Sequence, residues 1–176
     1  MILYRPTVYL NTKDNSSRFV LGTNGVNTLC VIGVNPSTAD ESEPDFTLKK
    51  VMSFVHQNGY DSFIMLNVYP ERAKNPTNLS SKWDPNLVYQ NIQHIKSIVE
   101  NLKNPHLLAA WGETICERDY LMCCLTEIEK SLQGLKIKWM KLGDYTATKH
   151  PRHPSRAPYN TPLTPFDLKA YLEIHQ

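Results

Sequence analysis

Three short apolar runs, at residues 28–34, 62–68 and 106–111, constrain the fold more than any other feature of the sequence. Each run is long enough for one strand and is nearly continuous in apolar residues, which is typical of a strand covered on both faces. Between them, residues 46–58 and 84–101 carry apolar side chains at helical spacing. Strands that alternate with amphipathic helices predict an α/β sheet with helices on both faces.

The remaining segments extend this pattern. Residues 18–21 form a further apolar run before a turn that contains glycine, so this run and the next form a hairpin or two successive strands. Residues 113–132 predict a long helix, and residues 136–142 predict a strand at the sheet edge. Thr164 and Pro165 are typical of the start of a last helix. We therefore expect a three-layer α/β/α fold with a mainly parallel sheet of four strands.

The size and charge of the chain narrow the classes of protein to which it can belong. Its 176 residues suffice for one buried core and are few for two, so we expect a single domain over residues 1–176. The formal net charge of +2 is far from the strongly basic character of proteins that bind duplex DNA without specificity. Any nucleic-acid contact must therefore depend on a local cluster of charge.

Cysteine usage and hydropathy indicate the compartment. Cys30, Cys116, Cys123 and Cys124 form no Cys-x-x-Cys pair, so we expect buried free thiols and neither a disulfide framework nor a metal site. No run of signal-peptide or transmembrane character is present in the sequence, which predicts a cytoplasmic protein without membrane association. The glycines match neither a phosphate loop nor a dinucleotide fingerprint, and no cofactor is expected.

Polar side chains follow the apolar runs where the predicted strands end. The segment Asn35-Pro36-Ser37-Thr38 comes after the first run, and Asn67 ends the second, with Arg72 and Lys74 close behind it. Ligands bind outside the carboxyl ends of strands in sheets of this kind, and a side-chain amide can both donate and accept a hydrogen bond. Turn formation and capping are the alternative explanation for these residues.

The densest basic cluster lies in a proline-rich loop near the end of the chain. It contains Lys149, His150, Arg152, His153 and Arg156. Pro151 and Pro154 restrict the backbone around His153 and would hold its imidazole in place. The loop is a candidate phosphate-binding surface, and a solvated basic loop is the alternative. Asp45, which precedes the helix at 46–58, is interpreted mainly as a cap of that helix.

Four motifs, in chain order, resemble those of the uracil-DNA glycosylase superfamily. They are Gly33-Val34-Asn35-Pro36, Met65-Leu66-Asn67, Ala110-Trp111-Gly112 and His153-Pro154-Ser155. More closely, Asn35-Pro36-Ser37-Thr38-Ala39-Asp40, Asp45-Phe46-Thr47 and the loop around Arg152-His153-Pro154 resemble a bacterial family named domain of unknown function 1643. That second resemblance implies no activity.

The glycosylase resemblance implies a role for several residues. Asn35 falls where the superfamily positions its hydrolytic water, and Asn67 falls where a side chain reads the edge of the base. His153 would stabilise negative charge on the departing base, and Phe46 lies about where an aromatic ring stacks on it. The same loops supply the other expected substrate-binding residues, which are Gly33, Pro36, Ser37, Arg72, Lys149, Arg152 and Ser155.

The resemblance therefore predicts a hydrolase acting on the N-glycosidic bond of a nucleobase in DNA or in a nucleotide. After Ser155 the chain continues Arg156-Ala157-Pro158-Tyr159 and lacks the apolar wedge that many superfamily members insert into the duplex, which leaves a free nucleotide or nucleoside open as the ligand. The alternative is a protein of the same fold that binds a nucleotide or nucleobase without catalysis, since an Asn activates water less than an Asp. A structural or phage-related interaction protein is a third reading.

Overall fold

A computed structural model describes residues 4–175 of the chain and places seven strands in one sheet. The strands are β1 (Val8–Asn11), β2 (Arg18–Gly22), β3 (Thr28–Gly33), β4 (Ser62–Asn67), β5 (His106–Ala109), β6 (Lys138–Leu142) and β7 (Leu163–Pro165). The helices are α1 (Phe46–Gln57), α2 (Pro85–Glu100), α3 (Asp119–Ser131) and α4 (Leu168–His175), with short 3₁₀ helices at Pro76–Asn78, Gly112–Glu117 and Pro154–Arg156. The α/β class predicted from the sequence is confirmed, while residues 1–3 and 176 of the expected domain lie outside the described residues.

The sheet is mixed, with the strand order β1-β2-β4-β3-β5-β6-β7. β3 pairs in parallel with both β4 and β5, and β5 pairs in parallel with β6. The pairings of β1 with β2, β2 with β4, and β6 with β7 are antiparallel. The expected sheet of four mainly parallel strands is therefore wrong in size, and among the described residues three of the six strand pairings are antiparallel. β1 and β7 escaped the prediction because they are short, only partly buried edge strands without a continuous apolar run.

Each face of the sheet carries its own hydrophobic core because successive side chains of a strand point to opposite faces. Leu29 and Val31 of β3 join the core that α1 covers, whereas Cys30 and Ile32 join the core beneath α2, α3 and α4. All six residues of β3 are buried, as the apolar run predicted. Helices thus lie on both sides of the central strands.

Of the two alternatives for residues 18–34, the structure has two successive strands and not a hairpin, since β4 lies between β2 and β3 and pairs with both. Two other details of the predicted elements are wrong. β6 is not an edge strand, because β7 pairs with its outer side. Thr164 and Pro165 belong to β7, and the helix that follows begins later, where the Asp167 carboxylate accepts a hydrogen bond from the backbone N–H of Ala170.

The cysteines do not all have the buried environment expected of them. Cys30 and Cys124 are buried, but Cys116 and Cys123 are exposed. Cys116 lies in the 3₁₀ helix Gly112–Glu117 and Cys123 in α3, in a segment predicted as one long helix. No helix among residues 4–175 combines the length and the apolar character needed to cross a membrane.

Candidate functional site

A cleft of about 720 Å³ opens at the carboxyl ends of the parallel strands. Its floor contains Gly33 at the end of β3, Asn67 at the end of β4, and Ala110 just after β5. The N-terminal turn of α1 and the loop at residues 152–156 form its walls. Pockets of roughly 300–1,000 Å³ are typical of small-molecule sites, so the cleft is large enough for a nucleotide. Its position is the one that α/β sheets favour for ligands.

Asn35 is held in one orientation by two backbone carbonyls. Its Nδ2 donates to Pro36 O at 2.9 Å and to Ala73 O at 2.8 Å. A carbonyl oxygen only accepts, so these two contacts identify the amide nitrogen and leave Oδ1 as the acceptor. Because Asn35 lines the cleft, that oxygen can accept a hydrogen bond from a water or a ligand there.

Asn67 brings a buried donor without a protein partner to the floor of the cleft. Its side chain is 1% exposed, and Nδ2 has no hydrogen-bond partner among the described residues. The backbone is fixed by pairing with Gly33 and by the Asn91 side chain, whose Nδ2 donates to Asn67 O at 2.8 Å. An unsatisfied buried donor costs about 1–3 kcal/mol. A ligand acceptor that meets Nδ2 would remove this cost.

His153 is set up as a neutral hydrogen-bond donor. Its Nδ1 accepts from the backbone N–H of Ser155 at 3.3 Å, and the Ser155 Oγ lies 2.7 Å from the same nitrogen. A backbone N–H can only donate, so Nδ1 carries no proton and the neutral ring is protonated at Nε2. The pKa of His153 is lowered to about 4, mainly by burial; Asp45 opposes this shift and Arg156 adds to it. At neutral pH the ring therefore offers an uncharged N–H.

Gly112 allows the His153 loop to approach the end of β5. Its φ of +61° lies in the left-handed region, and a Cβ at this position would lie 2.8 Å from the Cβ of His153. Any larger residue would meet both backbone strain and a clash. The sequence Ala110-Trp111-Gly112 thus ends in a residue whose small size determines where the imidazole can lie.

The same loop is joined to α4 through a buried polar chain. Trp111 Nε1 donates to the Tyr171 hydroxyl at 3.2 Å, and that hydroxyl lies 2.7 Å from His150 Nδ1. His150 Nε2 in turn lies 3.5 Å from the Cys116 sulfur. His150 is buried, so this member of the basic cluster supports the loop from within and is not part of a solvated surface.

Comparison with known protein families gives a match over most of the chain. The model of a protein family of unknown function, DUF1643, matches residues 18–155. The chain belongs to this family. No curated protein and no solved structure matches the chain, so its resemblance to uracil-DNA glycosylases rests on the four motifs alone.

Seven of the eleven predicted site residues of this DUF1643 protein line the cleft together. They are Gly33, Asn35, Ser37, Asn67, Arg152, His153 and Ser155. The two residues predicted as catalytic, Asn35 and His153, therefore share one cavity with the predicted base-reading amide of Asn67.

The other four predicted residues lie outside the cleft lining. Phe46 is 60% exposed, because the first residue of α1 falls on the side of the helix away from the core. Pro36 is buried and uses its carbonyl to hold Asn35. Arg72 donates to Ser37 O and to the Tyr9 hydroxyl, so it braces the loop after β3. Lys149 is an exposed turn residue with a φ of +66°.

Arg18, Asp45 and Glu113 are charged residues of the DUF1643 cleft that received no ligand role from the sequence. Arg18, in β2, is 3% exposed and lines the cavity, although it stands at the start of an otherwise apolar run. The sequence signal that could have pointed to Arg18 was a single charged residue at the start of an apolar run. Asp45 caps α1 by accepting from Leu48 N at 2.8 Å, as expected, and it also lines the cleft.

Proposed function

We propose that this DUF1643 protein is a hydrolase of the uracil-DNA glycosylase type that cleaves the N-glycosidic bond of a nucleobase in DNA or in a nucleotide. One observation carries the proposal. Asn35, Asn67 and His153 line one cleft, and each offers a defined hydrogen-bonding group there: an acceptor, a buried unmet donor and a neutral N–H. These three groups suit a water, a base edge and a base leaving with negative charge.

Asn35 would orient the water. The Oδ1 atom accepts a hydrogen bond from the water, which turns a lone pair towards the anomeric carbon of the sugar. The water oxygen forms a bond to this carbon as the bond to the base nitrogen breaks, and the electron pair leaves with the base. An amide is too weak a base to take the water proton, so that proton passes to solvent, and the released base is protonated from solvent.

His153 would stabilise the leaving base. A donor aimed at developing negative charge in a site protected from water is usually the largest contribution to catalysis of this kind. The low pKa of His153 keeps the imidazole neutral, so the Nε2 proton is shared with the base in a hydrogen bond. The Asn67 amide would hold a base carbonyl through its buried Nδ2.

The surface for the base would be aliphatic. No Phe, Tyr or Trp of the described residues lines the cleft, whereas Leu48 and Met65 do. A flipped base is held by stacking on aromatic or apolar side chains. Contacts of this kind support recognition of the base mainly by its hydrogen-bonding edge.

The test is base release measured by chromatography. The full chain is incubated with uracil-containing and mismatched DNA, single- and double-stranded, and with free nucleotides. We expect release by the wild type and a loss of about 100-fold in His153→Ala, the scale found when one such donor is removed. Asn35→Ala should lose activity similarly, while Asn101→Ala, on an exposed residue after α2, should not. Absence of release from every substrate would refute the proposal.

The neutral Asn35 amide favours binding without turnover as a second candidate. An amide activates water less than a carboxylate, and the two carbonyls that hold Nδ2 prevent it from being turned round. In that case the same substrates raise the melting temperature of the protein, and the rise persists on long incubation without product.

A further inference from the structure

Arg18 is a buried cation that forms no ion pair with any of the described residues. Its side chain is 3% exposed and lines the cleft. Nη1 donates to Ala39 O at 2.6 Å, and Nε has no hydrogen-bond partner among the described residues. Within residues 4–175, the ion pairs are Lys96 with Glu100 and Lys130 with Glu127, and both lie on helix surfaces. A charge removed from water and left unpaired is unfavourable unless something else compensates it.

A second guanidinium lies beside it. Arg72 also donates to Ala39 O, from Nη1 and Nη2 at 3.4 Å each, so both arginines meet at one carbonyl oxygen. Burial and the charge of Arg72 together lower the pKa of Arg18 to about 10, so Arg18 is still protonated at neutral pH. Asp45 opposes this shift, but its carboxylate caps α1 through Leu48 N.

The cleft as a whole has an excess of positive charge. Four cationic residues, Arg18, Lys74, Arg152 and Arg156, line it, against the two carboxylates of Asp45 and Glu113. The lining therefore has a formal charge of +2 when His153 is neutral. A cavity with charge of one sign attracts ligands of the opposite sign. The planar guanidinium fork matches a phosphoryl group with two parallel hydrogen bonds.

The position of Arg18 agrees with a ligand longer than a base. β2, which carries Arg18, is separated from β5 by β4 and β3. With about 4.8 Å between neighbouring strands, the backbones of β2 and β5 lie about 14 Å apart. Gly112, against which His153 packs, follows β5. A nucleotide is long enough to reach from the Arg18 side of the cleft to the His153 side.

We propose that the Arg18 guanidinium binds a phosphoryl group, so that the ligand of this cleft is a sugar phosphate and not a free base or nucleoside. The choice of a sugar as the carrier of the phosphate rests on the proposed function, whereas the anion site depends on Arg18 and its surroundings alone. A free nucleotide and a single-stranded phosphodiester share this chemistry.

Binding of ribose 5-phosphate by the full chain, measured by calorimetry, tests the site without any base or turnover. Ribose and inorganic phosphate are the comparison ligands. We expect the wild type to bind ribose 5-phosphate more tightly than inorganic phosphate and not to bind ribose. Arg18→Met should weaken binding at least tenfold, and Lys103→Met, which removes an exposed charge at the opposite rim of the sheet, should leave it unchanged.

A separate measurement distinguishes a ligand site from a structural arginine. Arg18→Met removes an unpaired buried charge, so its melting temperature without anions should equal or exceed that of the wild type. Arg18→Lys keeps the charge and loses the fork, so we expect weaker binding even where Arg18→Met fails to fold. Equal binding by wild type and Arg18→Lys, or no binding of ribose 5-phosphate by the wild type, would overturn the proposal.

Competition against bound ribose 5-phosphate identifies the source of the phosphate. Displacement by nucleoside 5′-monophosphates alone indicates a free nucleotide, and displacement by a short oligothymidylate indicates a single strand; each supports the site. Base release without ribose 5-phosphate binding would refute the phosphoryl site and leave the glycosidase proposal intact. Binding of ribose 5-phosphate without base release from any substrate would support the phosphoryl site and refute the glycosidase proposal.

Discussion

At the scale of single residues, the cleft depends on which atom of each side chain is already bonded to the backbone. The Asn35 Nδ2 donates hydrogen bonds to two backbone carbonyls, and the His153 Nδ1 accepts one from the backbone N–H of Ser155. In both cases the backbone determines what the side chain can offer a ligand, an acceptor from Asn35 and a donor from His153. A variant can therefore keep the residue and lose the function if the neighbouring backbone moves.

The titration of His153 is the first prediction. Burial holds its pKa near about 4, below the ordinary 6.5, so its ¹³C and ¹H resonances should titrate well below pH 6. Since the unfolded chain binds this proton near pH 6.5 and the folded chain only near pH 4, unfolding takes up a proton in this range. The stability that His153 contributes is then fully present above pH 6.5 and declines as the pH falls towards 4.

His153→Gln provides the control for this titration. Its free energy of unfolding, measured with urea at pH 7 and pH 5, should fall less with acid than that of the wild type. A midpoint near 6.5 for His153, or the same loss of stability with acid in both proteins, would contradict the assignment.

The sequence predicted Asn35, Asn67 and His153 because each stands at a strand end or between prolines, where position alone suggests a role. It did not reveal Arg18, since its exposure depends on where Ala39 and the loop after β3 pack over β2. Phe46 was misplaced for a related reason. Phe46 lies close to the Asn35 motif in sequence, but that proximity does not determine which side of α1 carries its ring. In the structure the ring lies on the solvent side of the helix.

At the scale of elements, the site depends on the contact between the 3₁₀ helix Gly112–Glu117 and the loop that carries His153. The helix begins at a glycine with positive φ, and the loop is tied to α4 through His150 and Tyr171. The cleft wall is thus assembled from segments far apart in the chain.

Gly112→Ala should disturb this contact, and Gly134→Ala is its matched control. Both glycines have positive φ, but a Cβ on Gly134 would have no atom within 4 Å, whereas one on Gly112 would meet His153 Cβ at 2.8 Å. We expect backbone strain to lower the free energy of unfolding by about 1–2 kcal/mol in either variant. Gly112→Ala should lose more, and it alone should shift the His153 resonances. Equal destabilisation in urea, with unchanged His153 resonances, would refute the role of Gly112.

The sequence located α1, α2, β3 and β4 almost to the residue, because periodicity and caps such as Asp84 act locally. It failed where pairing across the sheet decides the structure. Pro165 is compatible with a helix start, yet β7 pairs with β6 instead. The order of β2, β4 and β3 likewise depends on contacts that no local pattern encodes.

At the scale of the whole molecule, the sheet has a fully buried centre and half-exposed margins. β3 has a partner strand on each side and no exposed residue, while β1 at one edge has two exposed residues. Local opening is easiest where few apolar contacts hold the backbone.

Native-state hydrogen exchange should reproduce this gradient. We expect the amides of β3 and the adjacent β4 to exchange only through global unfolding, and those of β1 to exchange through smaller openings at least tenfold faster. The measurement is NMR-detected exchange as a function of low urea concentration. Protection of β1 equal to that of β3 would show that the margins open only with the centre.

The hydrophobic core extends beyond Ser155, where the family match ends. Phe166, Leu168 and Tyr171 pack in the same core as Ile32 of β3. A recombinant fragment trimmed to residues 18–155 would therefore lack the part of this core that α4 supplies and would leave Trp111 Nε1 without its Tyr171 acceptor. The segment that the family match covers is thus shorter than the set of residues that pack into this one core.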